Sequence, residues 1–449
     1  MPLRTVVSIS LIYMTRMLGL FMVLPVLFLL GQDYPGATAT TLGIALGIYG
    51  LTQASLQIPL GLLSDIVGRR PVLLAGLLIF LVGSLVAALA DDVVWLIVGR
   101  ALQGAGAISS TLLALLADLT PPKYRTRALA IVGISIGASF TLAMVVGPLA
   151  AQWWGLSGVF VLTATLALAS MALVLTLPIP VRNAQDGYQR WQASAVLPVL
   201  VDRRLWSLNL GVFFLHAILA AAFLFLPQQL LAADLSLGQQ GLMYLVVGVL
   251  AFVALGPMMA ISERRGKPRL MLLIAQGILA LGLLTLGNST GHLGGTLLAV
   301  MLFFIGFNFL EASLPSWLSR MAPTGRRGTA MGFFSTAQFL GAAMGGAVGG
   351  RLLDVSGMPL VLTVALILLL IWFMLTLFQS APPLSRQLVL QLNELGDRPA
   401  HVWQEHLAAL DGVLDVHLNE AEGSVMLRVS RHDFDESALP AVQDNRKTE

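Results

Sequence analysis

The chain has 449 residues, 57% of them hydrophobic and only 11% charged, with a mean hydropathy of +0.84. Soluble domains average about 25% charged residues, so this composition excludes a water-soluble globular protein and turns most of the surface toward lipid. The lack of cysteine excludes disulfides, thiolate metal ligands and thiol redox chemistry.

A spanning helix needs about 20 mostly apolar residues. Twelve windows meet that need: 6–30, 40–63, 71–90, 93–118, 127–152, 157–178, 206–232, 240–262, 269–289, 293–320, 327–353 and 357–378. They are numbered here as spans 1 to 12. The first run carries Arg16 and continues past Pro25 with no A-x-A site, so it reads as a retained span rather than a cleaved leader. Between spans 2 and 3 stands GLLSDIVGRRP (61–71), a polar knot flanked by apolar runs. Between spans 6 and 7 lies a polar stretch, 181–204, read as a cytoplasmic linker between an N-terminal half (1–180) and a C-terminal half (205–380).

After Pro382 the pattern changes. Leu388, Leu390 and Leu392 alternate as in a half-buried strand, Trp403, Leu407 and Leu410 follow at helical spacing, and Leu414, Val416, Leu418 and then Val425, Leu427, Val429 alternate again. FDESALPAVQ (434–443) reads as a second short helix. Residues 385–445 are therefore expected to form a small cytoplasmic β-α-β-β-α module of ferredoxin-like type.

The charges are one-sided. In a twelve-span threading Arg69, Arg70, Arg125, Arg203, Arg264, Arg265 and Arg327 share one face, while the opposite loops carry Asp33, Asp91, Asp92, Asp234 and one cation, Arg351. Cytoplasmic loops are rich in Lys and Arg. The expected topology is a multi-pass protein of the cytoplasmic (inner) membrane with both termini cytoplasmic. The net charge of +3 then follows topology, and no nucleic-acid partner is expected.

The chain also repeats itself. Pro25/Pro227, Gly104/Gly306, Pro121/Pro323, Arg125/Arg327 and Gly147/Gly349 are each 202 apart. Through spans 2 and 8 the offset is 198: Gly50/Gly248, Pro59/Pro257, Asp65/Glu263, Gly68/Gly266 and Arg69/Lys267. Two parallel six-span repeats around a central site form a transporter architecture.

GLLSDIVGRRP resembles the G-x-x-x-D-x-x-G-R-[KR] signature of the major facilitator superfamily, RALQGAGA (100–107) its span-4 element, and LGLFMVLPVL (18–27) the span-1 element of its twelve-span drug:proton antiporters. One element departs: Gly147-Pro148 is followed by Leu149, Ala150 and Ala151 where those antiporters carry a Gly pair. The resemblance implies an all-α membrane fold and a charge relay beside the start of span 11 that acts as a cytoplasmic latch. Its members here are Gly61, Asp65, Gly68, Arg69, Arg70 and the span-4 acid Asp118, with Glu263 and Lys267 as a weaker second copy. It also implies that Arg100 holds span 1 through backbone carbonyls and supports proton transfer.

Ionisable groups deep in spans are costly and usually functional. At ~1.5 Å of rise per residue, Glu311 lies about 14 Å from Arg320 and His216 about 18 Å from Arg204, so both are near mid-membrane. Burial disfavours a carboxylate, which suits Glu311 to carry a proton. Imidazole exchanges protons near neutral pH, so His216 is a second candidate. Arg16, Asn308, Gln53 and Gln338 are the candidate substrate-cavity residues, Arg16 being equally suited to pin one helix to another. No metal site and no cofactor is expected; the energy source is the proton gradient. The expected partners are membrane lipid, protons and a small-molecule substrate, with weak self-association or a regulatory ligand assigned to the C-terminal module. The expected function is proton-coupled efflux of a small amphipathic or hydrophobic compound by alternating access, and no enzymatic activity. The alternatives are proton-coupled uptake of a metabolite and a non-transporting membrane sensor.

Overall fold

The structure, a computed structural model, describes residues 3–178, 199, 201–322, 327–381, 385–395, 399–419, 423–430, 434, 435 and 439. Most of the 181–204 stretch, Pro323, most of 434–443 and the side chains of Glu263, Arg125 and Arg327 lie outside the described residues.

Among the described residues nine helical segments are long and apolar enough to cross a membrane. Two of them, Arg127–Thr176 and Gly328–Phe378, each contain two helices joined at a non-helical glycine. Gly155 (φ 64°, ψ −170°) and Gly357 (φ 70°, ψ −168°) adopt a backbone that a Cβ disfavours. They too are 202 apart. A further helix, Ala39–Val67, has 29 residues and is long enough to span, but Thr52, Gln53, Ser55 and Gln57 dilute its hydropathy. Counted in this way, twelve helical spans match the twelve windows.

The two halves share their irregularities. Span 1 breaks between Leu3–Phe21 and Leu24–Leu30, and span 7 between Arg203–Ala222 and Leu226–Ala232. Pro25 and Pro227 open the second segments, where a missing N–H costs nothing. Span 4 breaks between Val93–Ala105 and Ser109–Asp118. Spans 2 and 8 start on capping boxes, Thr38 with Thr41 and Ser236 with Gln239, again 198 apart.

Glycines show where the halves touch. Along spans 2 and 11 a methyl at Gly43 would overlap the Gly346 carbonyl oxygen. One at Gly47 would overlap Ala343, and one at Gly50 would stand 2.5 Å from the Phe339 carbonyl oxygen. Further along, Gly332 and Gly328 have nothing within 4 Å. Spans 5 and 8 behave alike: methyls at Gly241 and Gly248 would stand 3.0 Å from Val145 and Thr141, whereas one at Gly256 would meet nothing. The halves therefore meet on the acidic-loop face and part toward the basic face. Ile66 and Val67, on the parted end of span 2, are accordingly 61% and 54% exposed. The apolar core follows the same geometry. One cluster runs through both halves, whereas Val6, Ile12, Leu73, Leu112 and Val174 form a separate one inside the first half.

Beyond span 12, strands β1 (Ser385–Gln391), β2 (Val413–Asn419) and β3 (Ser424–Ser430) form an antiparallel sheet in the order β1-β3-β2. The helix Ala400–Ala408 lays Trp403 and Leu407 on Val425, Leu427 and Val429. Leu414 departs from the expected alternation and is 41% exposed. A bulge between Val413 and Asp415 shifts the register, so Val413 and Val416 face the core instead. Leu392 begins a short helix rather than continuing β1, and still packs on this core.

Candidate functional site

In the second half three side chains from three spans converge. Gln338 on span 11 donates from Nε2 to Glu311 Oε1 (3.2 Å) on span 10, and the same nitrogen lies 2.8 Å from His216 Nε2 on span 7. His216 Nδ1 sits 3.1 Å from the Val212 carbonyl oxygen, which can only accept, so that nitrogen carries a hydrogen. With the amide as placed, Nε2 of the neutral ring accepts from Gln338. Glu311 Oε2 is 3.6 Å from the same Nε2 and has no hydrogen bond among the described residues. His216 is buried and the Glu311 side chain is 37% exposed, so the pair reaches from packed interior to open space.

Asn308, one turn from Glu311, lines a small recess between the halves with Phe140, Thr141, Met144, Tyr244, Gly248 and Phe304. Aromatic rings surround it. Phe21 and Phe140 of the first half meet edge to face at 5.0 Å, Phe140 stacks on Phe307 at 5.9 Å, and Phe307 lies 5.9 Å from the His216 ring. The Tyr244 hydroxyl is buried with no hydrogen-bond partner among the described residues.

Arg16 and Gln53 were expected in the cavity, and here both are buried inside the first half. Arg16 donates to Ser109 Oγ (2.8 Å), Gln53 Oε1 and the Gly106 carbonyl oxygen (3.1 Å). Tyr13 donates to the Ser109 carbonyl oxygen at 2.5 Å. Span 1 thus ties down the polar backbone freed by the break in span 4, the pinning role rather than the ligand role in this conformation. Arg100 also departs from expectation. It donates to the Ala45 carbonyl oxygen (3.2 Å) of span 2 rather than to span 1, and lies over Tyr49 at 4.9 Å. The cause is Gly104, whose bare Cα lets span 4 close on the Tyr49 backbone and brings Arg100 against span 2. Arg16, not Arg100, makes the span 1 to span 4 link. Neither arginine has a carboxylate partner among the described residues.

At the basic face Arg69 pairs with Asp65 and donates from Nε to Asp118 Oδ2 (2.9 Å) and from Nη1 to Ser64 Oγ (2.7 Å). Gly68 (φ 109°) ends span 2 and starts span 3, and folds the two ends so that these groups meet. Gly61 lets span 4 approach through Ser110, which donates to the Gln57 carbonyl oxygen. Arg70 donates to the Leu175 carbonyl oxygen at the end of span 6. Every described contact of this cluster lies within the first half, and it is formed while the basic face is open. In the second copy Lys267 is exposed, and the Glu263 side chain lies outside the described residues.

The Major Facilitator Superfamily model matches residues 9–231 and again 208–410, two overlapping stretches that begin near the start of each half. The chain belongs to that superfamily. This transporter is 36% identical over 436 residues to the inner membrane transport protein YajR of Escherichia coli (strain K12), covering 95% of this chain and 94% of the relative. It is 27% identical over 355 residues to the multidrug resistance protein MdtH of Edwardsiella ictaluri, covering 75% and 83%. Among solved structures a mutant of the nucleoside transporter NupG matches with a TM-score of 0.65 at 16% identity, covering 83% of this chain and 98% of that one.

Two groups of residues were not legible as sites from the sequence. The recess residues Phe140, Tyr244 and Phe304 read as ordinary apolar positions, because the ring contacts join spans far apart in the chain. Asp354, at the end of span 11, was not singled out from the sequence. Its signal was the 202 offset, which pairs it with Gln152.

Proposed function

We propose that this transporter exchanges protons for a small amphipathic or hydrophobic compound by alternating access, exporting it from the cytoplasm, with the basic face and both termini cytoplasmic. The observation that carries the reading is the His216–Gln338–Glu311 cluster. A neutral His216 ring accepts from Gln338. A proton on Nε2 turns that contact into donor against donor, and the nearest anion becomes Glu311 at 3.6 Å. Proton arrival therefore exchanges a span 7 to span 11 hydrogen bond for a span 7 to span 10 ion pair. Gln338 adjoins Phe339, whose carbonyl oxygen faces Gly50 of the other half. The proton state thus acts at the seam that must part during the cycle.

The recess is too small to hold a compound as it stands, but on widening, its aromatic and thioether walls would suit a hydrophobic body, and Asn308, Thr141 and the Tyr244 hydroxyl one polar group. The name of the MdtH relative fits the same direction of transport. The Asp65–Arg69–Asp118 cluster acts as the basic-face latch by holding the ends of spans 2, 3 and 4 as one unit for span 11 to close on. The tail is a ferredoxin-like regulatory module.

Everted membrane vesicles test the reading. A candidate compound should dissipate a preformed pH gradient, and Glu311→Gln should abolish that response while keeping exchange that needs no gradient. Uphill transport by Glu311→Gln at the wild-type rate would overturn the proton assignment.

A further inference from the structure

The acidic face is held by a contact that the cavity does not explain. Asp354, in the last helical turn of span 11 before Gly357, accepts hydrogen bonds across the halves from the first turn of span 2. The donors are Ala39 N (2.9 Å) to Oδ1 and Thr40 N (2.8 Å) and Thr40 Oγ1 (2.5 Å) to Oδ2. Helix N-termini leave four N–H groups unpaired and favour negative charge. Thr38 caps the N–H of Thr41. Asp354 takes the two that remain at the start, and it comes from the opposite half of the protein.

The pseudosymmetry places a second side chain against a helix start, here by close approach rather than by the three hydrogen bonds of Asp354. Gln152 corresponds to Asp354 at the 202 offset, and span 8 corresponds to span 2 at the 198 offset. Gln152 lies against the first turn of span 8: a methyl at Gly238 would stand 3.0 Å from its carboxamide carbon. Ser236 plays the part of Thr38 there, in its own capping box. Each half thus lays a side chain from the end of span 5 or span 11 on a helix start of the other half. One of the two is a carboxylate and the other a neutral amide.

We propose that Asp354 and Gln152 are paired outer latches that set the balance between the two access states, with Asp354 the stronger because it is charged. When the acidic face opens, span 2 moves away from Asp354 and all three hydrogen bonds are lost together. The bonds are charge-assisted and join the two halves, as a latch requires. The proposal rests on alternating access but not on the identity of the proton carrier, and its readout is conformational, so it fails separately from the Glu311 assay.

The chain has no cysteine, so spin labels on Asp33→Cys and Asn288→Cys report on the acidic-face loops of the two halves without background. In the full-length protein in lipid nanodiscs, the short distance should dominate. Asp354→Asn should add a longer distance and change the ratio of the two by about tenfold, as expected for lost hydrogen bonds to a charged group. Gln152→Glu should move the ratio the other way, and the double variant should return toward wild type. Should Asp354→Asn not fold, Thr40→Val removes one of the three bonds and should shift the ratio in the same direction by less. An unchanged distribution in Asp354→Asn, or in Thr40→Val if that variant takes its place, overturns the proposal. So does a longer distance in Gln152→Glu.

Discussion

Gly346→Ala should push this transporter out of the state in which its basic face is open, without unfolding it. The added methyl would stand 2.6 Å from the Gly43 carbonyl oxygen, 3.0 Å from Gly47 N and 3.2 Å from Gly47 Cα. All three atoms are backbone, so no side chain can swing aside. Ordinary contact begins near 3.4 Å, so spans 2 and 11 must part by close to 1 Å along the seam. Overpacking of this kind costs about 1–3 kcal/mol, which is roughly a 5- to 150-fold change in the balance of two states. The state with a parted seam does not bear that cost. Gly332→Ala is the matched control. Nothing stands within 4 Å of it here, so it should be silent in this state, and it should penalise the other state if span 11 closes on span 2 there. Labels across the acidic face measure both variants. If Gly346→Ala leaves the distance distribution unchanged, or if both variants shift it in the same direction, the two-ended seam is wrong.

Other outcomes follow from single contacts. Arg69→Ala should lower turnover while costing less than about 1 kcal/mol of stability, since its partners are substantially exposed; transport rate against thermal midpoint separates the two. Arg16→Met should do the reverse, costing about 1–3 kcal/mol by leaving Gln53, Ser109 and the Gly106 carbonyl without their donor, read as a lowered thermal midpoint. Arg428 on β3 donates to the Arg320 (2.7 Å) and Ala322 (3.1 Å) carbonyl oxygens at the end of span 10. Arg428→Ala should raise amide exchange across residues 385–430 while the membrane spans stay protected. A fluorescent protein fused after Arg386 should be bright and a phosphatase inactive; the opposite pattern would invert the proposed orientation.

Much of the fold was legible because a bilayer is an undemanding reader: length and apolarity are enough, and the windows fell on the helices. The repeat was legible because proline breaks and glycine contacts recur at fixed offsets. Partnerships were not. Arg16, Arg100, His216 and Glu311 stand out as ionisable groups in apolar spans, but their partners lie on other spans. Nothing in the neighbouring residues told that Arg16 would take the span 4 carbonyl and Arg100 the span 2 carbonyl. Helix-end contacts were hidden for a related reason. Asp354 works through the backbone of residues 39 and 40, and backbone donors leave no mark on a sequence. In the tail, a single bulge moved Leu414 to the surface, and alternation alone cannot register an extra residue.

The glycine turns at 155 and 357 bear on how the protein is made. Spans 5 and 6, like spans 11 and 12, are separated by a single non-helical glycine rather than by a loop; Trp153 and Trp154, 75% and 67% exposed, lead directly into Gly155. A ribosome-bound insertion machine that releases one helix at a time meets almost no connecting loop there. Each pair is thus suited to enter the bilayer as a preformed hairpin, with the tryptophans of the first pair anchoring its tip among the lipid headgroups. Each half would then complete its biogenesis on a two-helix unit, and that unit carries at its tip the residue that grips the other half.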